Sequence, residues 1–271
     1  MISKRNRIKV DQNLTFKTMK KTFSIAILAA FLMSACAIAN PASDSKPISH
    51  QIWNSILSQH VTADGMVDYA AIQKDSNTLN SYLKLVKANH PNDANWSKNE
   101  QLAYWINAYN AFTVQLIIRH YPLSSIKDIG SSIKIPFVNT PWDVKFIHIE
   151  NETYDLNNLE HGIIRKQFDE PRIHFALVCA AVSCPRLRNE AFTAAKLNQQ
   201  LDEEATYFIN NKKKNVIGAD EAHLSKIFMW YKGDFTKKTS LVEFINQYSK
   251  VKMTENTKIE HNDYHWELNK Q

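Results

Sequence analysis

The chain has 271 residues, 44% of them hydrophobic and 22% charged, so it can bury a core and form one domain or at most two. With 5 glycines it has no glycine-rich phosphate-binding motif, and its composition excludes a collagen-like or generally disordered chain. The net charge of +6 arises in the first 36 residues, because the remainder carries 26 residues of each sign. A neutral body creates no field that attracts phosphates, so we expect no nucleic-acid partner.

Residues 1–39 have the organisation of a secretory leader. Two lysines precede an uncharged apolar stretch, 23–33, which is followed by small residues and is short for a membrane span. Translation from Met19 is an alternative start. Two processing routes remain open: a lipobox ending at Cys36, whose acylation would be the only membrane anchor, or cleavage after Ala39. Either route predicts an exported protein, in the periplasm or on the outer membrane of a bacterium.

Composition divides the rest of the chain into three parts. Residues 40–47 are polar and contain proline, which is typical of a short tether. Residues 48–253 contain no further linker and no internal repeat, so we expect one domain. Residues 254–271 have the composition of a polar tail.

The first predicted elements of the domain are helices, and the third is the best defined. Apolar spacing predicts one helix around 52–60 and another around 79–86. Ser97 and Glu100 have the spacing of a capping box, and the third helix should end just before Pro122. Both of its faces are largely apolar, so we expect a central, buried helix.

The later elements complete a mainly helical α+β fold. In order, the patterns predict a β-hairpin over 144–156, a helix over 158–168 capped by Asn157 and Glu160, and a helix over 171–181, with a buried strand over 175–180 as the alternative. Helices over 191–210, 225–231 and 240–248 follow. Gly233 is expected to close the short helix that follows Ser225. We therefore predict a single compact domain around a central buried helix, with one or two small β-hairpins or sheets.

Five strings in the chain carry most of the polar and aromatic residues of interest. They are Trp105-Ile-Asn107-Ala-Tyr109-Asn110-Ala111, Glu160-His161-Gly-Ile-Ile-Arg165, Arg172-Ile-His174-Phe-Ala-Leu-Val-Cys179, Ser183-Cys184-Pro185-Arg-Leu and Leu224-Ser225…Phe228-Met-Trp230-Tyr231…Asp234-Phe235. In this order they resemble the domain-of-unknown-function 547 family, and the likeness runs from Trp53 to about Tyr248. The resemblance implies a shared fold and a shared polar site, and it implies no activity.

A thiol enzyme is one interpretation of the polar residues. Cys184 or Cys179 would be the nucleophile, His174 or His161 the base, and Glu160 or an asparagine the residue that orients the base. The competing interpretation is a disulfide between Cys179 and Cys184, which is the common state of such a pair in an oxidising compartment and removes the nucleophile.

Two further chemistries can be considered from the same residues. Glu160 could act as a general acid or base with His161 or Asp234, as in hydrolysis of an envelope glycan, but only geometry decides this. The sequence has no HExxH and no CxxC motif, and His161 and His174 belong to different predicted elements, so we expect no metal and no cofactor.

The remaining interpretations are structural and ligand-binding. Asn107, Asn110, Arg165, Arg172 and His174 could form a buried hydrogen-bond network that fixes three helices. The aromatic side chains, among them Trp105 and Trp230, are then core residues, or they line an open groove and stack on a sugar or peptide.

From these alternatives we favour a ligand-binding or accessory module of the cell envelope. We expect its site to be built from Asn107, Asn110, Trp105, Arg165, Arg172, Trp230 and Asp234. A thiol-dependent hydrolase or transferase that uses Cys184 or Cys179 with His174 is the alternative. The expected partner is an envelope peptide or glycan.

Overall fold

The computed structural model of the protein describes residues 44–130 and 140–271. The predicted leader, with its Cys36 and Ala39 processing sites, lies outside the described residues. Ser43–Gln271 form one compact unit.

Helices supply most of the regular structure, as predicted. The α-helices are α1 (Gln51–His60), α2 (Tyr69–Lys74), α3 (Ser76–Lys87), α4 (Lys98–His120), α5 (Arg165–Gln167), α6 (Leu197–Asn210), α7 (Ile227–Trp230), α8 (Lys232–Phe235) and α9 (Leu241–Tyr248). A π-helix, Asn158–Ile164, runs into α5, and short 3-10 helices occur at Ile126–Asp128, Pro141–Asp143 and Pro171–Phe175. Over the described ranges, no helix is both long and apolar enough to cross a membrane.

The strands form two small sheets, which confirms the mainly helical α+β prediction. β1 (Ile147–Ile149) and β2 (Glu152–Tyr154) make the predicted antiparallel hairpin. β3 (Val216–Ile217) pairs with β4 (Glu221–Leu224) antiparallel, and β4 pairs with β5 (Lys258–His261) parallel.

The segment 254–271 differs from the expected polar tail. It contains β5, and further along Leu268 and Asn269 are buried. Leu268 bridges to Ala181, and the Asn269 carbonyl accepts a hydrogen bond from the amide of Val67. The segment is therefore part of the domain.

Helix α4 is the centre of the fold, as its sequence predicted. Its capping box is formed, since the Ser97 hydroxyl accepts from the Glu100 amide and the Glu100 carboxylate accepts from the Ser97 amide at 2.7 Å. The helix stops at Tyr121, which is extended before Pro122. Every residue of α4 from 101 to 118 is buried. This helix therefore carries side chains into the core in all directions.

Three predicted boundaries are wrong, and side-chain contacts explain two of them. Only 171–175 of the segment 171–181 is helical, because the Asn110 amide binds the backbone of 176–178. Helix α6 begins at Leu197 rather than 191, because Asn107 binds both backbone groups of Phe192. Gly233 lies inside α8 and does not end a helix.

Candidate functional site

Glu160 is held inside the domain by two tyrosine hydroxyls. Tyr109 of α4 donates to one carboxylate oxygen at 3.1 Å, and Tyr231, between α7 and α8, donates to the other at 2.6 Å. Glu160 is only 6% exposed. Burial, reinforced by the charge of Glu160, raises the pKa values of both tyrosines well above their ordinary value, so both stay neutral donors. We call Glu160, Tyr109 and Tyr231 the Glu160 site.

The local fold explains why Glu160 points inward. The carboxylate of Asp155 accepts the amide of Asn158 at 2.6 Å and so supports the start of the π-helix. Asn157 makes no capping bond, so the predicted cap of Asn157 with Glu160 is wrong. The Glu160 carboxylate is instead bound by tyrosines from two distant segments. A π-helix is a rare conformation that occurs frequently at functional sites.

A polar network of four side chains lies next to this carboxylate: His161, Arg165, His174 and Asp234. Arg165 donates to both oxygens of Asp234, at 2.6 and 2.9 Å, and Nε2 of His174 lies 2.7 Å from the same carboxylate. Nη1 of Arg165 is 3.0 Å from Nδ1 of His161. Because a guanidinium can only donate, Nδ1 of His161 accepts and its ring proton is on Nε2.

The charges in the polar network follow from these contacts. The hydrogen bond from His174 and then that from Arg165 hold the pKa of Asp234 well below its ordinary value, so Asp234 is ionised. Burial lowers the pKa of His174, although Asp234 opposes the shift. At neutral pH His174 is therefore neutral, and Arg165 and Asp234 form an ion pair of matched charge. Asp234 and Arg165 are each about 30% exposed, so solvent reaches this network.

An aromatic cluster of Trp142, Trp230, Tyr264 and Trp266 adjoins the Glu160 site. The ring of Tyr264 lies 4.7 Å from the rings of both Trp230 and Trp266, and Trp142 packs edge-on against Trp266 at 5.6 Å. Trp230 immediately precedes Tyr231 in the chain. The cluster is therefore covalently adjacent to a residue that binds Glu160.

Tyr231 joins the three groups. Its hydroxyl binds Glu160, its ring stacks on His174 with centroids 3.8 Å apart, and the Arg165 guanidinium lies 5.3 Å from its centroid. Trp230 precedes it in the chain and is 45% exposed. The Glu160 site, the polar network and the aromatic cluster are thus one continuous structure.

Part of the sequence-predicted set lies in this structure. Glu160, His161, Arg165, His174 and Asp234 converge, and Trp230 is at the edge of the same structure. Nδ1 of His161 lies 3.9 Å from Glu160, and the side chain of His161 is 44% exposed. These side chains meet in the fold although 74 positions separate Glu160 from Asp234.

Asn107 and Asn110 are placed elsewhere, with their amides bound to backbone. Asn107 accepts from the Phe192 amide at 3.0 Å and donates to the Phe192 carbonyl at 2.7 Å. Asn110 binds the Ala176 carbonyl and the Val178 amide at 2.9 and 3.0 Å. Both asparagines are buried. They tie two irregular segments to the central helix.

Trp105 and Arg172 also lie outside the cluster. Trp105 is buried and packs edge-on against His90 and Tyr104. Arg172 is bound by Glu170 at 2.5 Å and by Asp202 at 2.7 Å, which ties its segment to α6. These two side chains stabilise the fold around the site.

Cys179 and Cys184 face each other at disulfide distance, with sulfurs 2.34 Å apart and Cα atoms 6.0 Å apart. The sulfur of Cys179 also lies 3.2 Å from the hydroxyl of Tyr264 in the aromatic cluster. Nζ of Lys214 donates to the carbonyls of Val182 and Cys184. In the bonded state neither cysteine has a thiolate to act as a nucleophile.

One group in the described part of the chain has the spacing of metal ligands. Glu221, His223 and Glu260 lie side by side on the outer face of β4 and β5. The ammonium group of Lys258 already lies 2.5 Å from Glu260 and 3.4 Å from Glu221. A solvated ladder of charges explains this arrangement.

Sequence reasoning missed several residues of the site. The sequence predicts no contact of Tyr109 or Tyr231 with Glu160, and it does not single out Trp142, Tyr264 or Trp266. The alternation of Tyr264 and Trp266 was the available signal, since an extended segment points both side chains to one face.

The fold and this site define a mainly helical α+β domain with a buried, tyrosine-bound carboxylate beside a polar network. Residues 94–209 match the family model described as "Protein of unknown function, DUF547", so this part of the chain is a DUF547 segment. The resemblance seen in the sequence is confirmed over this range. Tyr231 and Asp234 lie beyond it. No curated protein and no solved structure matches the chain.

Proposed function

We propose that the domain is a glycan-binding module of the bacterial cell envelope that binds its ligand beside Trp230. The observation that carries the proposal is the 45% exposure of this indole, immediately next to the residue that binds Glu160. A sugar ring has an apolar face of C–H groups and a rim of hydroxyls, so it suits an exposed aromatic plane flanked by polar groups.

Trp230 is supported by other aromatic side chains, since Tyr264 and Trp266 pack against it. Two further apolar side chains are exposed on segments that lead to the cluster. Met229 precedes Trp230 in the chain and is 46% exposed, and Val182, 37% exposed, donates its amide to the carbonyl of Glu267, the residue after Trp266. An exposed aromatic plane with polar neighbours suits a binding site.

The polar half offers donors and an acceptor that a sugar could reach. Nε2–H of His161 can donate, since the side chain is 44% exposed, and the part-exposed Arg165 and Asp234 add a donor and an acceptor. Their mutual contacts hold these groups in place before a ligand arrives, which lowers the entropy cost of binding.

Calorimetric titration tests the proposal with a partly deacetylated N-acetylglucosamine oligosaccharide, which contains neutral and cationic sugars. We expect Trp230→Ala to weaken binding on the order of tenfold, because truncating an aromatic anchor costs more than about 1 kcal/mol. Val251→Ala, which truncates a 49% exposed side chain elsewhere, is the matched control and should leave the affinity unchanged. An oligosaccharide that does not bind, or that binds Trp230→Ala equally well, overturns the proposal.

Export is the second part of the proposal, and it is supported by the leader sequence at residues 1–39. Cell fractionation after expression of the full chain should recover the protein outside the cytoplasm. The mature chain should begin with acylated Cys36 or with Asn40, and Cys36→Ser should release it from the membrane only in the first case. A full-length chain in the cytoplasm contradicts export.

A further inference from the structure

Three carboxylates are buried in the described part of the chain: Asp155, Glu160 and Glu204. Two of them contact a cation. Asp155 lies 2.6 Å from Nζ of Lys145, and Glu204 is bound by Arg186 at 2.9 Å and Arg188 at 2.8 Å. Glu160 contacts neither a lysine nor an arginine within the described ranges.

The polar groups near Glu160 are either neutral or already bound to other side chains. Tyr109 and Tyr231 are neutral hydroxyls, and His161 is 3.9 Å away with Nδ1 occupied by Arg165. Arg165 itself places two donors on Asp234. The negative charge of Glu160 therefore has hydrogen bonds but no contacting positive charge, which is unusual for a buried carboxylate.

The aromatic cluster, which adjoins Tyr231 through Trp230, is a second, independent feature that favours a cation. Aromatic faces attract cations through their ring quadrupole. The chain uses this attraction twice nearby, since Nζ of Lys127 lies 4.9 Å over Trp266 and the Arg165 guanidinium lies 5.3 Å over Tyr231. Trp230 keeps an exposed surface in the same cluster.

We propose that the bound glycan carries a free amino group, and that its ammonium is the cation that Glu160 and the aromatic cluster accept. This inference rests on the proposed function and specifies the ligand: an amino sugar rather than its neutral N-acetyl form. Glu160 supplies the opposite charge, and Trp230 supplies the plane on which the sugar ring packs.

The test compares two pure oligosaccharides of equal length, oligoglucosamine and oligo-N-acetylglucosamine, at mildly acidic pH where the amine is protonated. We expect the wild-type protein to bind the amino form on the order of tenfold more tightly, with an affinity that falls as salt is added. Glu160→Gln should remove this preference and leave the N-acetyl form unaffected. Glu152→Gln removes the same charge from an exposed strand position and should retain the preference.

The outcomes separate this inference from the proposed function. A wild-type protein that binds the N-acetyl form equally well or better overturns the amino-sugar inference and leaves glycan binding in place. Binding of neither form overturns both. A folded Glu160→Gln variant that keeps the preference overturns the role of Glu160.

A second variant covers the case in which Glu160→Gln does not fold. Tyr231→Phe keeps the ring and the carboxylate but removes one hydrogen bond to Glu160. The carboxylate is then less satisfied, so affinity for the amino form should stay equal or rise. A folded Tyr231→Phe variant that loses the amino form contradicts the inference.

Discussion

Two regions of this domain bury a glutamate in opposite ways. Glu204 of α6 is 1% exposed and lies between the guanidinium groups of Arg186 and Arg188. Glu160 is 6% exposed, and within the described ranges its side-chain hydrogen bonds come from two tyrosine hydroxyls. The two glutamates are almost equally buried, so burial does not distinguish a structural carboxylate from a candidate functional one. What distinguishes them is that arginines contact Glu204, whereas no lysine or arginine of the described ranges contacts Glu160.

The largest difference should appear when each glutamate becomes glutamine. Glu204→Gln leaves two guanidinium groups facing an amide, so we expect it to lower the free energy of unfolding by about 3–5 kcal/mol. Glu160→Gln keeps the shape and can still accept from a tyrosine, so we expect a change below about 1 kcal/mol. Denaturant unfolding of both variants checks this. Equal losses would contradict the distinction between the two regions.

A control for the first region is available at Glu203, which contacts Arg188 at 2.7 Å but is 40% exposed. Glu203→Gln should cost no more than about 1 kcal/mol, because exposed ion pairs contribute little. A loss as large as that of Glu204→Gln would mean that the total charge around Arg188, rather than burial, sets the stability.

Asn107, like Glu204, has a structural role, because its side-chain amide holds the backbone of Phe192. Asn107→Ala leaves both backbone groups of Phe192 without their partner, so we expect a loss of about 1–3 kcal/mol. For a domain of this size that is roughly 2–4 °C in Tm per kcal/mol. Asn189→Ala, at an exposed position, should leave the Tm unchanged. A normal Tm in Asn107→Ala would indicate that the amide faces a ligand instead.

Acid should affect the polar network before it affects the Glu204 region. His174 has a lowered pKa in the fold, so the unfolded chain takes up the proton first and stability falls as the pH drops below 6.5. Burial also lowers the pKa of His50, to about 4, so it adds to the fall between pH 6.5 and 4. The Tm of the wild type should decrease over this range, and His174→Asn should flatten part of the decrease. An identical slope in the variant would contradict this assignment.

The smallest expected effect is the mass difference that the bond between Cys179 and Cys184 produces. Without reductant, iodoacetamide should label neither Cys179 nor Cys184, and the intact mass should be lower than that of the reduced protein by two hydrogen atoms. If both thiols are bonded, Glu160 and the polar network are the polar groups of the site that remain able to bind or react. Labelling of one cysteine that is lost in His174→Ala would instead support the thiol enzyme.

The sequence predicts those features that depend on neighbouring residues. The capping box at Ser97 and the stop before Pro122 mark helix ends correctly, because each is a contact within one turn of chain. The burial of α4 is predictable for the same reason, since its periodicity is visible in one segment.

The remaining features depend on distant residues that meet only in the fold. Glu160 was assigned to a helix cap because a tyrosine 71 positions away cannot be foreseen as its partner. The parallel pairing of β4 with β5 joins strands separated by three helices. Asparagine chemistry alone does not tell whether Asn107 and Asn110 bind backbone or ligand.

The DUF547 match ends at residue 209, and five of the eleven side chains of the site follow it: Trp230, Tyr231, Asp234, Tyr264 and Trp266. A fragment that ends there would lack Asp234, so Arg165 and His174 would lose their hydrogen-bond acceptor. It would also lack Tyr231, so Glu160 would keep only the hydroxyl of Tyr109. Expression plasmids and crystallisation trials for this protein should therefore extend at least through Asn269, which is buried and bound to Val67.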